Sequence, residues 1–353
     1  MNNPSKQGGE PVIADDAVAA AQPAPRKKPE HLSPNQKAWR RFKKNKPAVI
    51  GAWFVAFIIL LAIVWPWFSN PKLATFLPKA MTYSQETVTE AQFAPPSAKH
   101  WMGTDIHGRD LLSRLFHGAR ISLLVGAVGA AVSLVIGVLW GAIAGYVGGR
   151  ADNLMMRFVD ILYSLPSIIF VIVLFTVFEL KMKAQLTGFQ TFLEKTFHFT
   201  FTTPLSTRAP MIFLFIGLGA VSWLTMARIV RGQVLSLRTR NFVEASKALG
   251  ASHARILFKH ILPNVYGIII VYLTLTVPAI ILYESFLSYL GLGIQPPQAS
   301  WGSLIAEGAQ QINPIRIYWW LLVFPGGMLV STLLALNFVG DGLRDAFDPR
   351  GKA

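Results

Sequence analysis

Apolar residues in this chain come in blocks of about 20, the length at which an α-helix crosses a hydrocarbon layer of ~30 Å. Six blocks have that length: Ala48–Phe68, Ile121–Tyr146, Phe158–Phe178, Pro210–Val230, Val265–Leu290 and Ile317–Val339. Backbone amides find no water inside hydrocarbon, so each block has to satisfy its own polar groups as helix. The expected fold is an all-α integral membrane protein with six spans. Composition agrees, at 52% hydrophobic and 14% charged residues. Trp65, Pro66, Trp67 and Phe68 close the first block with the aromatics favoured at a membrane–water boundary.

The formal net charge of +15 raises nucleic acid as a partner. Such a partner needs basic residues on a folded polar face or a reading helix, whereas here they flank the apolar blocks, so none is expected. Arg40, Arg41, Lys43, Lys44 and Lys46 precede the first block, and Arg231, Arg238, Arg240, Arg255 and Lys259 lie between the fourth and fifth. The positive-inside bias assigns both groups to the cytoplasm. An even number of spans then returns the segment from Asp341 to the same side and leaves 69–120, 179–209 and 291–316 outside. Residues 1–30 lack an apolar core and read as a disordered cytoplasmic tail instead of a signal peptide. The predicted organisation is that tail, a first span with its outer loop over 31–118, a five-span body over 119–341, and a cytoplasmic tail over 342–353.

Cysteine is absent, which excludes disulfides, thiolate catalysis and cysteine-ligated metals. His100, His107 and His117 share an outer loop but match no ligand spacing, so no metal is expected. No nucleophile-elbow pattern supports hydrolase chemistry, and no Gly-rich loop ending in Gly-Lys-Ser or Gly-Lys-Thr is present to cradle a nucleotide. The chain is therefore expected to bind no cofactor and to catalyse no reaction. Asp160, near the inner end of the third span, and Glu284, toward the outer end of the fifth, are the notable charges. Neither lies at the midplane, where ion-coupled carriers keep their ionisable sites. They remain candidates for the translocation path or its gating, as does Pro278. Glu284 has two readings, contact with a substrate amine or support of the Gly-rich turn that follows it.

Gly126, Gly137, Gly141 and Gly145 in the second span make a small-residue seam for close helix packing, static or sliding. Pro166, Pro278 and Pro325 interrupt the third, fifth and sixth spans, as hinges or as fixed shape. Between the third and fourth spans, Leu186, Phe189 and Leu193 have helical spacing, while Phe197, Phe199 and Phe201 alternate as a half-buried strand would.

The stretch over 236–263 is patterned as few cytoplasmic loops are. Asn241 followed by Glu244 reads as a capping box opening a short helix, and Gly250 as its stop. Ser252 reads as the cap of a second short helix ending before Leu262 and Pro263. Two short helices joined at a glycine form a projecting knob that a partner's groove can grip. A loop whose Arg and Lys bind anionic lipid fits the pattern as well.

The order Glu244, Ala245, Ser246, then Gly250, then His260, Leu262 and Pro263 resembles the cytoplasmic-loop signature of permease subunits of ATP-binding-cassette importers, with Ser246 and His260 as departures. Three other stretches resemble the C-type permease of oligopeptide and dipeptide importers. These are His100, Gly103, Thr104, Asp105, Gly108, Arg109, Asp110, Ser113 and Arg114; Glu284–Gly293 with Pro296, Pro297, Ser300, Trp301 and Gly302; and Gly340–Arg350. The longer stretch over 179–208 departs from that family. The resemblance implies a six-helix type I importer transmembrane domain with cytoplasmic coupling helices, in a bacterial inner membrane. It further implies a homologous partner permease, two ATPase subunits that bind the ATP, and an extracytoplasmic substrate-binding protein. Asn241, Glu244, Ala245, Ser246, Gly250, Leu262 and Pro263 would form the ATPase-coupling loop. Oligopeptide is the first-choice substrate, with dipeptides, nickel complexes or other small solutes as alternatives and an ion-coupled carrier as the reading from another class.

Overall fold

The computed structural model describes residues 33–68, 78–197 and 205–347. The expected tail over 1–30, Phe199, Phe201 and the segment 348–353 lie outside those residues. Every named element among the described residues is helical, and the single β-bridge pairs Thr104 with Asp110.

The helices run in the order α1 (Pro34–Lys44), α2 (Lys46–Phe68), α3 (Lys79–Thr82), α4 (Leu111–Val147), α5 (Gly149–Ser164) and α6 (Ser167–Phe197). There follow α7 (Leu205–Leu237), α8 (Asn241–Ala248), α9 (His253–Arg255), a π-helical segment Ile256–Ile261, α10 (Leu262–Tyr289), α11 (Trp301–Gln310) and α12 (Trp320–Phe347). Among the described residues five stretches are long and apolar enough to cross a membrane, Lys46–Phe68, Leu111–Val147, Leu214–Leu237, His253–Tyr289 and Trp320–Phe347, and the bent pair Gly149–Ser164 with Ser167–Leu174 makes a sixth if it is one span.

The third span departs from expectation. In place of one helix over 158–178 the chain forms two, α5 and α6, bent by 90° between Ser164 and Ser167. Pro166 is the cause: it cannot donate a helical hydrogen bond, and it disfavours helical backbone at Leu165, whose φ and ψ are −79° and 135°. Pro278 and Pro325, by contrast, sit inside continuous helices. Leu186, Phe189 and Leu193 are helical as their spacing predicts. Phe197 is also helical, the last residue of α6, so the strand reading fails there. The segment expected as a tail from Gly342 continues α12 to Phe347.

Around α4 the bundle is assembled by glycine. A β-carbon on Gly137 would stand 2.6 Å from Met226 Cβ, and one on Gly145 would stand 2.8 Å from the Arg231 carbonyl oxygen. One on Gly141 would overlap the Ala227 carbonyl oxygen. These three glycines face α7, and Gly126 faces Ile281 and Val277 of α10 instead. The α7 backbone therefore lies directly on α4, where van der Waals contact drives association in lipid. Gly51 of α2 likewise meets the Ala335 carbonyl of α12. The start of α2 and the end of α12 join one end of the bundle, with Ala38, Phe42, Ala48 and Ala346 in one buried cluster. Phe347 reaches Gly267 near the start of α10, which places the knob sequence at that same end.

Substituting Gly141 with valine is expected to force α4 from α7 and lower stability by about 1–3 kcal/mol, the usual cost of overpacking. Gly232, with open space about it, is expected to tolerate alanine. Thermal unfolding of the two variants in the same detergent checks the contrast.

Candidate functional site

The knob is built much as its residues suggest, with two differences. The chain leaves α7 through a turn in which the Arg240 amide bonds the Leu237 carbonyl at 3.0 Å. The Arg240 carbonyl then accepts from Val243 at 2.9 Å and from Glu244 at 3.3 Å, so Arg240 is the N-cap. Asn241 is one residue inside the helix, and no capping box forms around it. Glu244 still falls in the first turn of α8, where a negative charge complements the helix dipole.

At the other end, Gly250 has φ +75° and donates to Lys247 O at 2.9 Å, while Ala251 donates to Ser246 O at 3.1 Å. This is a Schellman stop, which a residue with a β-carbon strains to adopt. The Ser252 hydroxyl caps the next turn by accepting from Arg255 N. The second difference lies beyond. The second helix does not end before Leu262 and Pro263 but runs through the π-helical segment into α10. Pro263 lacks the N–H that would reach Lys259 O, and its ring crowds that carbonyl. The Leu262 amide meanwhile reaches Leu257 O, five residues back. The widened turn carries the helix past the proline. No free joint separates knob from span.

Val243 is buried beneath α8 among Val230 and Val234 of α7 and Ile256, Ile261 and Val265 beyond the glycine. The outward face holds Asn241, Glu244, Ala245, Lys247, Ala248 and Leu249, the last 88% exposed. Ser246 is half-buried, and its hydroxyl is spent on its own helix through a bond to Phe242 O at 2.8 Å. Pro263 is exposed and Leu262 half-buried beside the knob. Behind it, Arg238 Nη1 donates to Tyr146 O at 3.2 Å and satisfies a carbonyl at the end of α4. Tyr146 Oη meets His253 Nδ1 at 2.9 Å. These contacts tie α4, α7 and the knob into one unit. No sequence pattern marked Tyr146 or His253.

Above the 90° bend lies an open cleft of about 510 Å³ between α5, α6, α7 and α10. Tyr163, Tyr272, Tyr283, Ser222, Thr225 and Thr276 line it together with aliphatic side chains and no charged group. None of the three path candidates lines it. Asp160 sits about one turn from Tyr163 and accepts from Arg228 Nη2 at 2.7 Å, with the Arg228 guanidinium 4.0 Å over the Tyr163 ring. Pro278 is buried next to the cleft-lining Ala279. Nearby, Arg231 grips Asp152 with two bonds of 2.5 and 2.7 Å. Arg231 had been legible only as part of a basic cluster, and Asp152 not at all.

Glu284 is fully buried at the other end of α10. Its Oε1 accepts from Ser288 Oγ at 2.6 Å, and that hydroxyl also accepts from Ile294 N at 3.2 Å across the Gly-rich turn. Ser122, Ser285 and Ser300 lie around it, Glu284 Oε2 and the Ser285 hydroxyl have no hydrogen-bond partner among the described residues, and Ser122 accepts from Trp301 N at 3.1 Å. Through Ser288 the carboxyl thus ties α10 to the turn that follows it, which fits the supporting one of its two readings. Close by, Asp105 binds Arg109 Nε and Arg114 Nη1, each at 2.7 Å, and Arg114 holds Glu307 at 2.5 and 2.8 Å. Asp110 caps α4 by accepting from Ser113 N and meets His100 at 3.0 Å. Burial pushes the Asp110 carboxyl above the usual carboxylate range, against the pull of the Ser113 amide and His100. His100 is thereby engaged with a carboxylate and, among the described residues, no cluster of potential metal ligands occurs.

A polytopic helical membrane protein with a rigid exposed helix–glycine–helix projection, and an uncharged cleft beside the spans it joins, has the architecture of a transport component. Comparison with known proteins makes that specific. Residues 137–352 match the family described as binding-protein-dependent transport system inner membrane component, and the chain belongs to it. Residues 33–96 match the N-terminal transmembrane domain of oligopeptide transport permease C. The chain is 46% identical over 319 residues to the oligopeptide transport system permease protein OppC of Haemophilus influenzae, covering 90% of this chain and 89% of that one. It is 42% identical to the dipeptide transport system permease protein DppC of Bacillus subtilis, covering 90% and 87%. With OppC of B. subtilis it shares 41% over 336 residues, covering 95% and 96%. The protein is accordingly a multi-pass inner-membrane permease subunit and not an enzyme.

Substitutions at two positions probe the geometry. Gly250→Val strains a left-handed position by roughly 1–2 kcal/mol, and is expected to speed amide hydrogen exchange over 241–251 with little change in overall melting. Glu284→Leu strands the Ser288 hydroxyl proton and is expected to cost about 1–3 kcal/mol, whereas Glu284→Gln, which keeps the acceptor, is expected to cost less. Melting of both Glu284 variants in detergent checks this.

Proposed function

We propose that this chain is the permease subunit of an ATP-driven peptide importer, forming the membrane pathway with a homologous permease. An extracytoplasmic binding protein delivers the peptide, and two ATPase subunits grip the outward face of α8. The chain itself binds no nucleotide or other cofactor. Oligopeptides are the substrate class, on the strength of the OppC relatives, and the DppC relative makes dipeptides the second reading. Both termini face the cytoplasm, the side on which the basic segments 37–46 and 228–259 fall.

One observation carries this reading: α8 is fastened beneath by Val243 and runs through the π-helical segment into α10, yet presents an exposed outward surface that no other described residue covers. The residues Asn241, Glu244, Ala245, Ser246, Gly250, Leu262 and Pro263 act as a rigid lever. Force applied at α8 reaches α7 through the 237–240 turn and α10 through the continuous helix. Swinging a two-state bundle from roughly 1:99 to 99:1 takes about 5.5 kcal/mol of differential binding, so the grip has to be firm, and Ala245, Ala248 and Leu249 supply apolar area for it. The cleft lined by hydroxyls and tyrosines suits a ligand whose common feature is its amide backbone, with Asp160 and Arg228 at the cleft's edge.

The test is ATP-dependent uptake of a labelled oligopeptide by vesicles holding the assembled transporter. Replacing Glu244–Gly250 with a flexible linker is expected to abolish uptake and ATPase retention while the permease still inserts. Undiminished uptake would refute the lever, and uptake by the permease alone, driven by an ion gradient, would refute the importer reading.

A further inference from the structure

We infer that the basic side of α1 is a binding surface for anionic phospholipid headgroups at the membrane boundary. Over its 11 residues α1 carries Lys37, Arg40, Arg41, Lys43 and Lys44 and no acidic residue. At 100° per residue Ala38 and Phe42 share one side. Both are buried, packed on Ala48 of α2 and on Leu343, Ala346 and Phe347 of α12. Lys43, Arg40, Lys44 and Lys37 spread over the opposite side, with the lysines exposed, and Trp39 lies between the two sides, 57% exposed. The apolar side is thus already engaged by the protein itself, and what remains outward is positive charge and one indole.

Position selects the partner. A reciprocal box between Ser33 and Gln36 caps α1, and Asn45 alone separates it from α2. The helix is therefore held where the hydrocarbon-length segment of α2 begins, at the depth of headgroup phosphates. Lys43 Nζ stands 5.2 Å from the Trp39 ring, so the ammonium and the indole present together, the pairing an interfacial surface uses. A protein partner would have to bring an acidic groove to this place, whereas an anionic bilayer surrounds it already and attracts each near-surface basic residue. The anchored element is a joint: Asn45 Nδ2 reaches Asp345 Oδ2 at 3.4 Å, and Gly342 packs against Ala48, so headgroups bound at α1 fix the start of α2 against the end of α12.

The inference needs only that α2 spans a membrane and stands apart from the importer reading. The purified full-length chain in detergent is titrated with phosphatidylglycerol or phosphatidylcholine, and retained lipid is counted by native mass spectrometry. The wild type is expected to keep phosphatidylglycerol at least about fivefold over phosphatidylcholine, the factor one near-surface lysine supplies. The triple variant K37Q/K43Q/K44Q is expected to lose that excess, and K37R/K43R/K44R to keep it. Raising salt from 0.1 to 0.5 M should strip the excess from the wild type, an arm that needs no variant to fold. Equal retention of the two lipids by the wild type, or an undiminished excess in the glutamine variant, overturns the inference.

Discussion

The close approach of α4 and α7 is the contact on which the rest of the structure depends. In hydrocarbon there is no gain from hiding apolar side chains from one another, since lipid tails are equally apolar, so two spans adhere only as well as their surfaces fit. Gly137, Gly141 and Gly145 remove the side chains that would hold the backbones apart, and α7 fills the groove with Met226, Ala227 and Val230. Because the seam runs toward the end of α4 where Arg238 caps the last carbonyls, α7 cannot be displaced there without disturbing both packing and cap. The short knob inherits its rigidity from that seam.

Two helices then diverge from a fixed base. α10 starts from the knob without a break and meets α4 again at Gly126, through Ile281 and Val277. It ends at the Glu284 latch, whose serines belong to α4, to α10 and to the approach to α11. The two ends of α10 are consequently tied to different neighbours in different ways. Near the knob the bonds are apolar and continuous with the chain. At the far end they are directional hydrogen bonds in a buried site, where an unsatisfied hydroxyl is costly, and this fixes one arrangement of the turn after Tyr289.

Much of this was legible in the sequence because membrane spans advertise themselves by length and hydropathy, and because Gly250, Ser252 and the α4 glycines have few roles open to them. What was not legible depended on partners far along the chain. The α5–α6 bend arises at a proline, yet Pro278 and Pro325 leave their helices unbroken, so the residue type alone did not foretell the 90° turn. The strength of Asn241 as a cap was overridden by one residue of slack in the turn from Leu237, which gave Arg240 the first helical bonds. Pro263 looked like a terminator, but a widened turn accommodated it. The pairs Arg231–Asp152 and Arg114–Glu307 bring together residues 79 and 193 positions apart, which no local pattern can announce.

The ion pairs also differ in their enclosure. Arg114 and Asp105 are almost wholly buried, with side chains 2% and 5% exposed, and breaking that cluster would strand charges away from water. Arg228 and Asp160 are 39% and 62% exposed, a pair far less enclosed by the protein. The Arg228–Asp160 pair stands beside the cleft and the bend, the Arg114 cluster beside the Glu284 latch. The two ends are thus held differently, by enclosed charge beside the loops and by an open ion pair beside the bend.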